Sequence, residues 1–439
     1  MSVSAYPAYR DSGVDWLGVL PTTWREVPFW SLFRRVKRTG FADAELLSVY
    51  RDYGVIRKTD RDDNFNNASD DLGSYQLVEP GDLAINKMKA WQGSLGISRH
   101  RGIVSPAYFV YHARHAERPE YLHYLLRSMN YATGFMTISK GIRINQWDVD
   151  PDQLAKVVIP LPSVSEQAAI AAFLDRETAK IDALVEEQRR LIALLKEKRQ
   201  AVISHAVTKG LNPDAPMKDS GIEWLGEVPA YWEIKAIRHF SDVLRGKFTH
   251  RPRNDPAFYD GDFPFIQTGD ITGAARYITT YKQTLNERGA SVSKEFPSGT
   301  LVMAIAANIG DVAILNFPAY FPDSIVGLAP KDGVILEFLY YLMQGMKQPM
   351  LMTATVSTQM NLNVDQIVSM IAGCPPCDEQ RSIVAHLDGQ IRLIDELEAE
   401  AGSLIVLMQE RRAALISAAV TGKIDVRGLV PKSVELEAA

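Results

Sequence analysis

Apolar residues recur in a 3-4 rhythm along two stretches of the chain. The first runs Ile181, Leu184, Gln188, Leu191, Leu195, Lys198, Val202, His205. The second runs Ile394, Leu397, Ala401, Leu404, Met408, Arg411, Leu415, Ala418. This spacing predicts two long helices, each with one mostly apolar seam. Charged runs such as EEQRR and KEKRQ fill the other faces. Neither proline nor glycine interrupts the first stretch between Glu166 and Lys209. The second contains Gly389 and Gly402, each costing roughly 1 kcal/mol relative to alanine. Ser163 and Glu166 form an S-x-x-E capping box just after Pro162. In the second stretch Pro376 takes the place of the serine, and Asp378 is the expected cap. Two apolar seams predict that the helices pair with each other. The alternative is that each packs on its own preceding domain. Spacing alone does not fix their direction.

The remaining sequence alternates over shorter distances. YQLVEPGDLAI, IVSPAYFVYH, KVVIPL, GTLVMAIA and VAILNF are strand-like runs punctuated by Pro, Gly and Asn. Pro119–Met129 carries an amphipathic helix with Tyr121, Leu122, Leu125 and Leu126 on one face. The expectation for each such region, ~25–160 and ~233–372, is an α+β domain with a twisted sheet and long loops.

The chain is written twice. DSGVDWLGVLPTTW at Asp11–Trp24 returns 208 residues later as DSGIEWLGEVPAYW at Asp219–Trp232. EQAAIAAFLDRETAKIDAL from Glu166 returns 213 residues later as EQRSIVAHLDGQIRLIDEL from Glu379. PEYLHYLLRSM and LEFLYYLMQGM are weaker matches between those anchors. Each copy has a variable half followed by a shared half, which implies an internal pseudo-twofold repeat. A twofold axis perpendicular to the helices would make them antiparallel. From Ile181 to about Thr208 a helix spans ~40 Å, close to the ~34–36 Å of one DNA turn. Such a rod could hold two globular readers about one turn apart.

The 439 residues are enough for about three structural units. With 46% hydrophobic and 23% charged residues, wholesale disorder is excluded. A net charge of −5 excludes a strongly basic, non-specific DNA binder. Two cysteines make no disulfide framework. No apolar run is long enough to span a membrane, and the first residues lack signal-peptide order. A cytoplasmic location is expected.

Enzymatic motifs are missing. The sequence has no phosphate-binding G-x-x-x-x-G-K-[ST] loop, no G-x-G-x-x-G after a strand and no H-E-x-x-H. The string Asn316-Phe317-Pro318-Ala319 is not the Asn-Pro-Pro-aromatic motif of adenine methyltransferases. Cys374-Pro375-Pro376-Cys377 lacks a second pair for zinc and is read as a turn into the long helix. Trp16, Trp24, Trp224 and Trp232 recur between copies and are read as anchors of the opening segments. No catalytic residue, metal ligand or cofactor site is assigned to this chain.

Loops in both copies contain groups suited to phosphates and bases. The first copy has Arg57, Lys58 and Arg61, then Lys87, Lys89, Trp91 and Gln92, then Lys140, Arg143, Asn145 and Gln146. The second has Lys247, Arg251 and Arg253, then Gln267, Thr268 and Asn308, then Ser357, Thr358, Gln359 and Asn361. Arginine and lysine suit guanine, and asparagine and glutamine suit adenine. Basic loops also hold phosphates without reading sequence. Singly, each is ordinary for a solvated loop. Together they predict loops that face DNA.

The segment DSG[VI][DE]WLG-x-[LV]P-x-x-W resembles the opening of the specificity subunits of Type I restriction–modification systems. So does L-P-x-x-x-E-Q-x-x-I-x-x-[FH]-L-D, followed by Ile-Asp and a long helix ending Ala-Val-Thr. The second copy departs from this pattern only at Pro376 and the CPPC string. The resemblance implies two α/β target-recognition domains joined by two long helices that pair as an antiparallel coiled coil. The implied order is 1–158 for the first recognition domain and 159–212 for the central shared helix. Then come 213–371 for the second recognition domain, 372–425 for the C-terminal shared helix and 426–439 for a tail. It further implies that each domain reads one half of a split double-stranded DNA site. The helices would set the spacer and dock two modification subunits, with two restriction subunits in the full complex. S-adenosylmethionine, ATP and Mg would belong to those partners.

Overall fold

A computed structural model describes residues 4–51, 53–61, 71–141, 147–250, 254–353, 355–356 and 360–429. The chain forms two compact units, Met1–Arg189 with Ser403–Ala439, and Arg190–Gly402. Each unit therefore takes one half of each long helix.

In the first unit, a four-stranded antiparallel sheet has the order Phe33–Val36, Tyr108–Ala113, Leu83–Asn86, Leu95–Ile97. Tyr111 pairs with Arg35 on one side and Leu83 on the other. Alternation then sorts the faces. Phe33, Leu83, Ile85, Phe109 and Tyr111 belong to the main core, and Ala84 and Val110 to a smaller one behind the sheet. The helix Pro119–Arg127 buries Tyr121, Leu122, Leu125 and Leu126, the face expected from spacing. It ends where Ser128 caps the next helix, Met129–Thr137. Strand Val158–Leu161 returns to pair with Arg25–Pro28. That pairing delivers the chain to the long helix Val164–Lys209.

The second unit has the same plan. Its sheet runs Ser241–Arg245, Ile325–Pro330, Leu301–Ala304, Val312–Leu315, Tyr277–Ile278, the last pair being parallel. Helix Leu336–Gly345 buries Phe338, Leu339, Tyr341 and Leu342. Strand Ile371–Cys374 pairs with Glu233–Ala236 before the long helix Cys377–Val420 begins. Cys374 and Cys377 are free thiols on the turn between strand and helix. Gly389 and Gly402 lie within an unbroken helix.

The long helices are 46 and 44 residues, about 65–70 Å each. They pair antiparallel within each unit. In the first unit, Tyr6 Oη donates to Glu166 near the start of one helix. Tyr9 Oη donates to the Gly422 carbonyl just past the end of the other. Further along, Arg412 grips Asp182 through Nε and Nη2 at 2.8 and 3.3 Å. In the second unit, Gly210 at the end of the first helix abuts Glu379 at the start of the second, and Arg199 pairs with Asp395.

The buried stripe differs from the expected seam. Inward positions on the first helix are Ile181, Val185, Gln188, Ile192, Leu195, Arg199, Val202 and Ala206. On the second they are Ile394, Glu398, Ala401, Ile405, Met408, Arg412, Leu415 and Ala419. Ile181, Leu195 and Ile394 are buried there, and Val202, Met408 and Leu415 half-buried. Leu184 (47% exposed), Leu191 (40%), Leu397 (48%) and Leu404 (36%) face solvent instead. Leu184-Val185, Leu191-Ile192 and Leu404-Ile405 are adjacent apolar pairs, so sequence fits either of two seams one residue apart. Antiparallel pairing selects the second.

Two capping expectations also change. Ser163 Oγ accepts from the Glu166 amide at 3.3 Å, but the Glu166 side chain does not reach back. It serves Tyr6 and Trp24 instead. Asp378 lies inside the second helix, exposed and paired with Arg381 at 2.6 Å, so it is no N-cap. The Pro376 carbonyl receives the Gln380 amide there.

Candidate nucleic-acid interface

The four recurring tryptophans pack on the two cores. Trp24 is buried and donates to Glu166 at 3.0 Å; Trp232 is buried and donates to Glu379 at 2.9 Å. Trp16 packs edge-on against Tyr131 at 4.9 Å, and Trp224 packs on the second core. All four anchor the opening segments.

The candidate loop residues of the first copy fall in three groups along the chain. Arg57 ends the strand Gly54–Arg57, exposed, with its Nε 3.2 Å from Glu45. Lys58 begins the following turn. The Arg61 guanidinium lies over the rings of Tyr53 and Tyr50, at 4.8 and 5.4 Å. The cation–π contact ties this guanidinium to the hairpin's aromatic rings. This hairpin leans on the helix Pro119–Arg127. Gly54 has φ +73°, and a Cβ there would strike His123. His123 accepts from Arg127, and Arg127 also donates to the Arg51 carbonyl. Burial, then the Arg127 and Arg99 charges, pull the His123 pKa down to about 3. The ring is therefore neutral, a structural prop rather than a cation.

The second and third groups of the first copy are brought together. The turn after strand Leu83–Asn86 holds Lys87, Lys89, Trp91 and Gln92, and closes on Gly93 at φ +81°. Lys87 Nζ donates to the Pro106 carbonyl and lies 5.0 Å from the Phe109 ring. Lys89 is exposed. The Lys87 carbonyl receives the Val149 amide at 3.0 Å. Val149 belongs to the hairpin Ser139–Lys140 / Asp148–Val149, whose first strand includes exposed Lys140. Trp91 packs on Trp147 at 5.1 Å. Arg143, Asn145 and Gln146 lie outside the described residues, on the chain between the hairpin's strands.

The second unit repeats this junction. The Ile305 carbonyl receives the Leu362 amide at 3.0 Å. Leu362 follows the hairpin Thr355–Val356 / Met360–Asn361. Ser357, Thr358 and Gln359 lie outside the described residues, as do Arg251 and Arg253, and the Asn361 side chain is not described. Asn308, on the adjoining loop, donates to Thr272 Oγ1 at 2.8 Å. Thr272 donates to Asp311 at 2.7 Å, and Lys347 holds the other Asp311 oxygen at 2.6 Å. Ala307 beside Asn308 sits at φ +62°, a costly conformation for a residue with a Cβ, of the kind that clusters at working loops. Thr268 opens the short helix Thr268–Thr272, joining this network. Gln267 Nε2 donates to Gln283 at 3.0 Å. Lys247 is exposed next to the sheet's first strand.

Sequence reasoning passed over Trp147 and the cations of Phe33–Arg38. The signal for the latter was available, as the string FRRVKR holds four cations in six residues. Among the described residues, no group of three or more His, Cys, Asp or Glu is placed to hold a metal. No described helix is long and apolar enough to cross a membrane.

Residues 229–403 match the family model described as Type I restriction modification DNA specificity domain. The StySPI specificity subunit of Salmonella potsdam is 22% identical over 448 residues, covering 93% of this chain and 91% of that one. A Methanocaldococcus jannaschii protein provisionally named the MjaX specificity subunit is 24% identical, covering 70% of this chain and 69% of its own length. Among solved structures, one concerned with complex assembly and conformational transition of the type I R-M system superposes with a TM-score of 0.62. It is 18% identical and covers 91% of this chain and 98% of its own. Repeated opening segments, paired long helices and these matches agree: over most of its length the chain is similar to the specificity subunits of Type I restriction–modification systems.

Proposed function

We infer that this chain reads DNA sequence for a Type I restriction–modification complex and performs no chemistry itself. The observation that carries this reading is the repeated junction. In each unit, the loop after one central strand is hydrogen-bonded to a hairpin, at Lys87–Val149 and at Ile305–Leu362. Each junction gathers side chains that suit base edges and phosphates onto a rigid sheet. One unit reads one half of a bipartite, asymmetric site, and the other unit reads the other half. Lys87, Lys89, Gln92 and the Arg143–Gln146 segment serve one half. Asn308, Gln267, Thr268 and the Ser357–Asn361 segment serve the other. Arg57, Lys58, Arg61, Lys140 and Lys247, with Arg251 and Arg253, hold phosphates.

The long helices set the unread spacer and dock two modification subunits. Leu184, Leu404 and Leu407 in the first unit, and Leu191, Leu194, Leu393 and Leu397 in the second, expose apolar surface along the helices. Such exposed leucines suit partner helices. The modification subunits bring S-adenosylmethionine and methylate adenine N6 on a flipped base. Two restriction subunits with ATP and Mg complete the cytoplasmic assembly.

The test is methylome sequencing of a strain expressing this chain with its neighbouring modification subunit. The expected result is a new N6-methyladenine motif in two parts with a fixed gap. An assembled complex that produces no such motif refutes the reading. The isolated chain should show no S-adenosylmethionine binding.

A further inference from the structure

Strand Phe33–Val36 is the outer strand of the first unit's sheet. It and the next two residues bear Arg34, Arg35, Lys37 and Arg38. Arg34, Arg35 and Lys37 are exposed. Among the described residues, none of these three has a carboxylate partner. Arg38 differs, because it pairs with buried Asp82, which also accepts from His112 at 2.9 Å. Cations flank the strand on both faces. Arg34 pairs in register with His112 and shares its face, while Arg35 shares the face of Tyr111 and Phe109. Arg34, Arg35, Val36, Lys37, Arg38 and His112 line a trough of about 510 Å³ along the strand. Arg35 also approaches the reading loop's surroundings through a shared ring. Arg35 lies 4.1 Å from the Phe109 ring centroid and Lys87 lies 5.0 Å from the same centroid.

We propose that this strand is a second DNA contact, a phosphate-binding edge that belongs to the first recognition domain alone. It rests on the DNA-reading role above. Charges on an outer strand also block edge-to-edge pairing. That need is equal in the second unit, where the outer strand Ser241–Arg245 sits 208 residues on. There Arg34 and Arg35 are replaced by Asp242 and Val243. Asp242 pairs with Lys331, and Arg245 donates to the Asp323 carbonyl. Protection therefore does not require four cations, and the first unit's unneutralised charge calls for an anion. A polyanionic backbone passing the edge supplies it. The chain as a whole is acidic, so its affinity for DNA depends on such local concentrations of charge.

The test uses the full complex with the modification subunit and its methylation-defined target. In one variant Arg34, Arg35 and Lys37 all become Gln; in another they become Lys, Lys and Arg. Each phosphate contact contributes about 0.9 to the salt slope of binding. Losing three contacts should make the Gln variant roughly 40-fold less sensitive between 50 and 200 mM salt. Affinity should fall alike for target and non-target duplex, with the methylated motif unchanged. The charge-preserving variant should keep the wild-type slope. A wild-type slope in the Gln variant, with specific binding intact, overturns the proposal and leaves the reading role standing. A wild-type slope with loss of the modification subunit shows a protein-docking edge and also overturns it. A wild-type complex that fails to prefer its target overturns both.

Discussion

Glu166 sits 7% exposed and accepts hydrogen bonds from Tyr6 at 2.6 Å and Trp24 at 3.0 Å. Burial and the carboxylate push the Tyr6 phenol well above its ordinary range, so it stays a donor. Glu379 makes the matching pair of contacts with Trp232 and Tyr231, at 2.9 and 3.0 Å. Each carboxylate locks an opening segment onto the start of a long helix. Trp24→Phe removes one donor from a buried charge and should cost about 1–3 kcal/mol, measured by denaturant unfolding of the full chain; a smaller loss would make the contact incidental. His123 gives a pH signature. Its folded pKa, about 3, lies below the ordinary 6.5. The unfolded chain therefore takes up the proton first. Stability held above pH 6.5 is lost as pH falls toward 3. Between pH 7 and 5 the loss from this group is about 2 kcal/mol. His123→Gln should remove that part of the slope, and an unaltered slope in the variant would disprove the assignment. Such residue-level facts are invisible in sequence, where His123 is one polar position on a helix and Glu166 reads as half of a capping box.

At the scale of elements, the 3-4 rhythm found both long helices and half of each seam. Its error was one residue at alternate positions, with Leu184, Leu191, Leu397 and Leu404 placed inward. A helix turns 100° per residue, so neighbouring apolar residues present two stripes that overlap. The partner's position chooses between them. Inward Arg199 and Arg412 are tolerated because each meets an aspartate on the facing helix. A paired substitution separates the stripes. Val185→Asp buries a charge and should lower the melting temperature markedly. Leu184→Asp should leave stability within about 0.5 kcal/mol while weakening copurification of the modification subunit. Equal destabilisation by both would restore the seam expected from sequence. Strands were more legible than seams. Every run named from its pattern contains a strand, and YQLVEPGDLAI and IVSPAYFVYH each contain two parted by a turn, because sheets buried on both faces need apolar stretches.

At the scale of the whole molecule, the repeat has a topological consequence. Each compact unit combines the first part of one long helix with the last part of the other. The chain must therefore be complete through Val420 before the first unit can close its core, since Ala419 and Val420 are buried in it. If the helices set a spacer, lengthening them should lengthen it. Four residues, close to one helical turn, add about 6 Å. Inserted into the first long helix, they should widen the gap in the methylated motif by roughly 1–2 base pairs, at about 3.4 Å per base pair, with both half-sites unchanged. An unaltered gap would end the ruler idea.

Sequence by itself determined the duplication, the two long helices, the strands and the anchoring tryptophans. These depend on period, composition and order along the chain. It also pointed to loops as the candidate interface, and in each unit the structure ties a loop after a central strand to a following hairpin, at Lys87–Val149 and Ile305–Leu362. Tertiary structure alone decided which stripe of each helix is buried. It also decided that Glu166 serves Trp24, and that Arg35 and Lys87 share one aromatic ring. Those outcomes depend on partners far apart in sequence, and no local pattern encodes the distance between them.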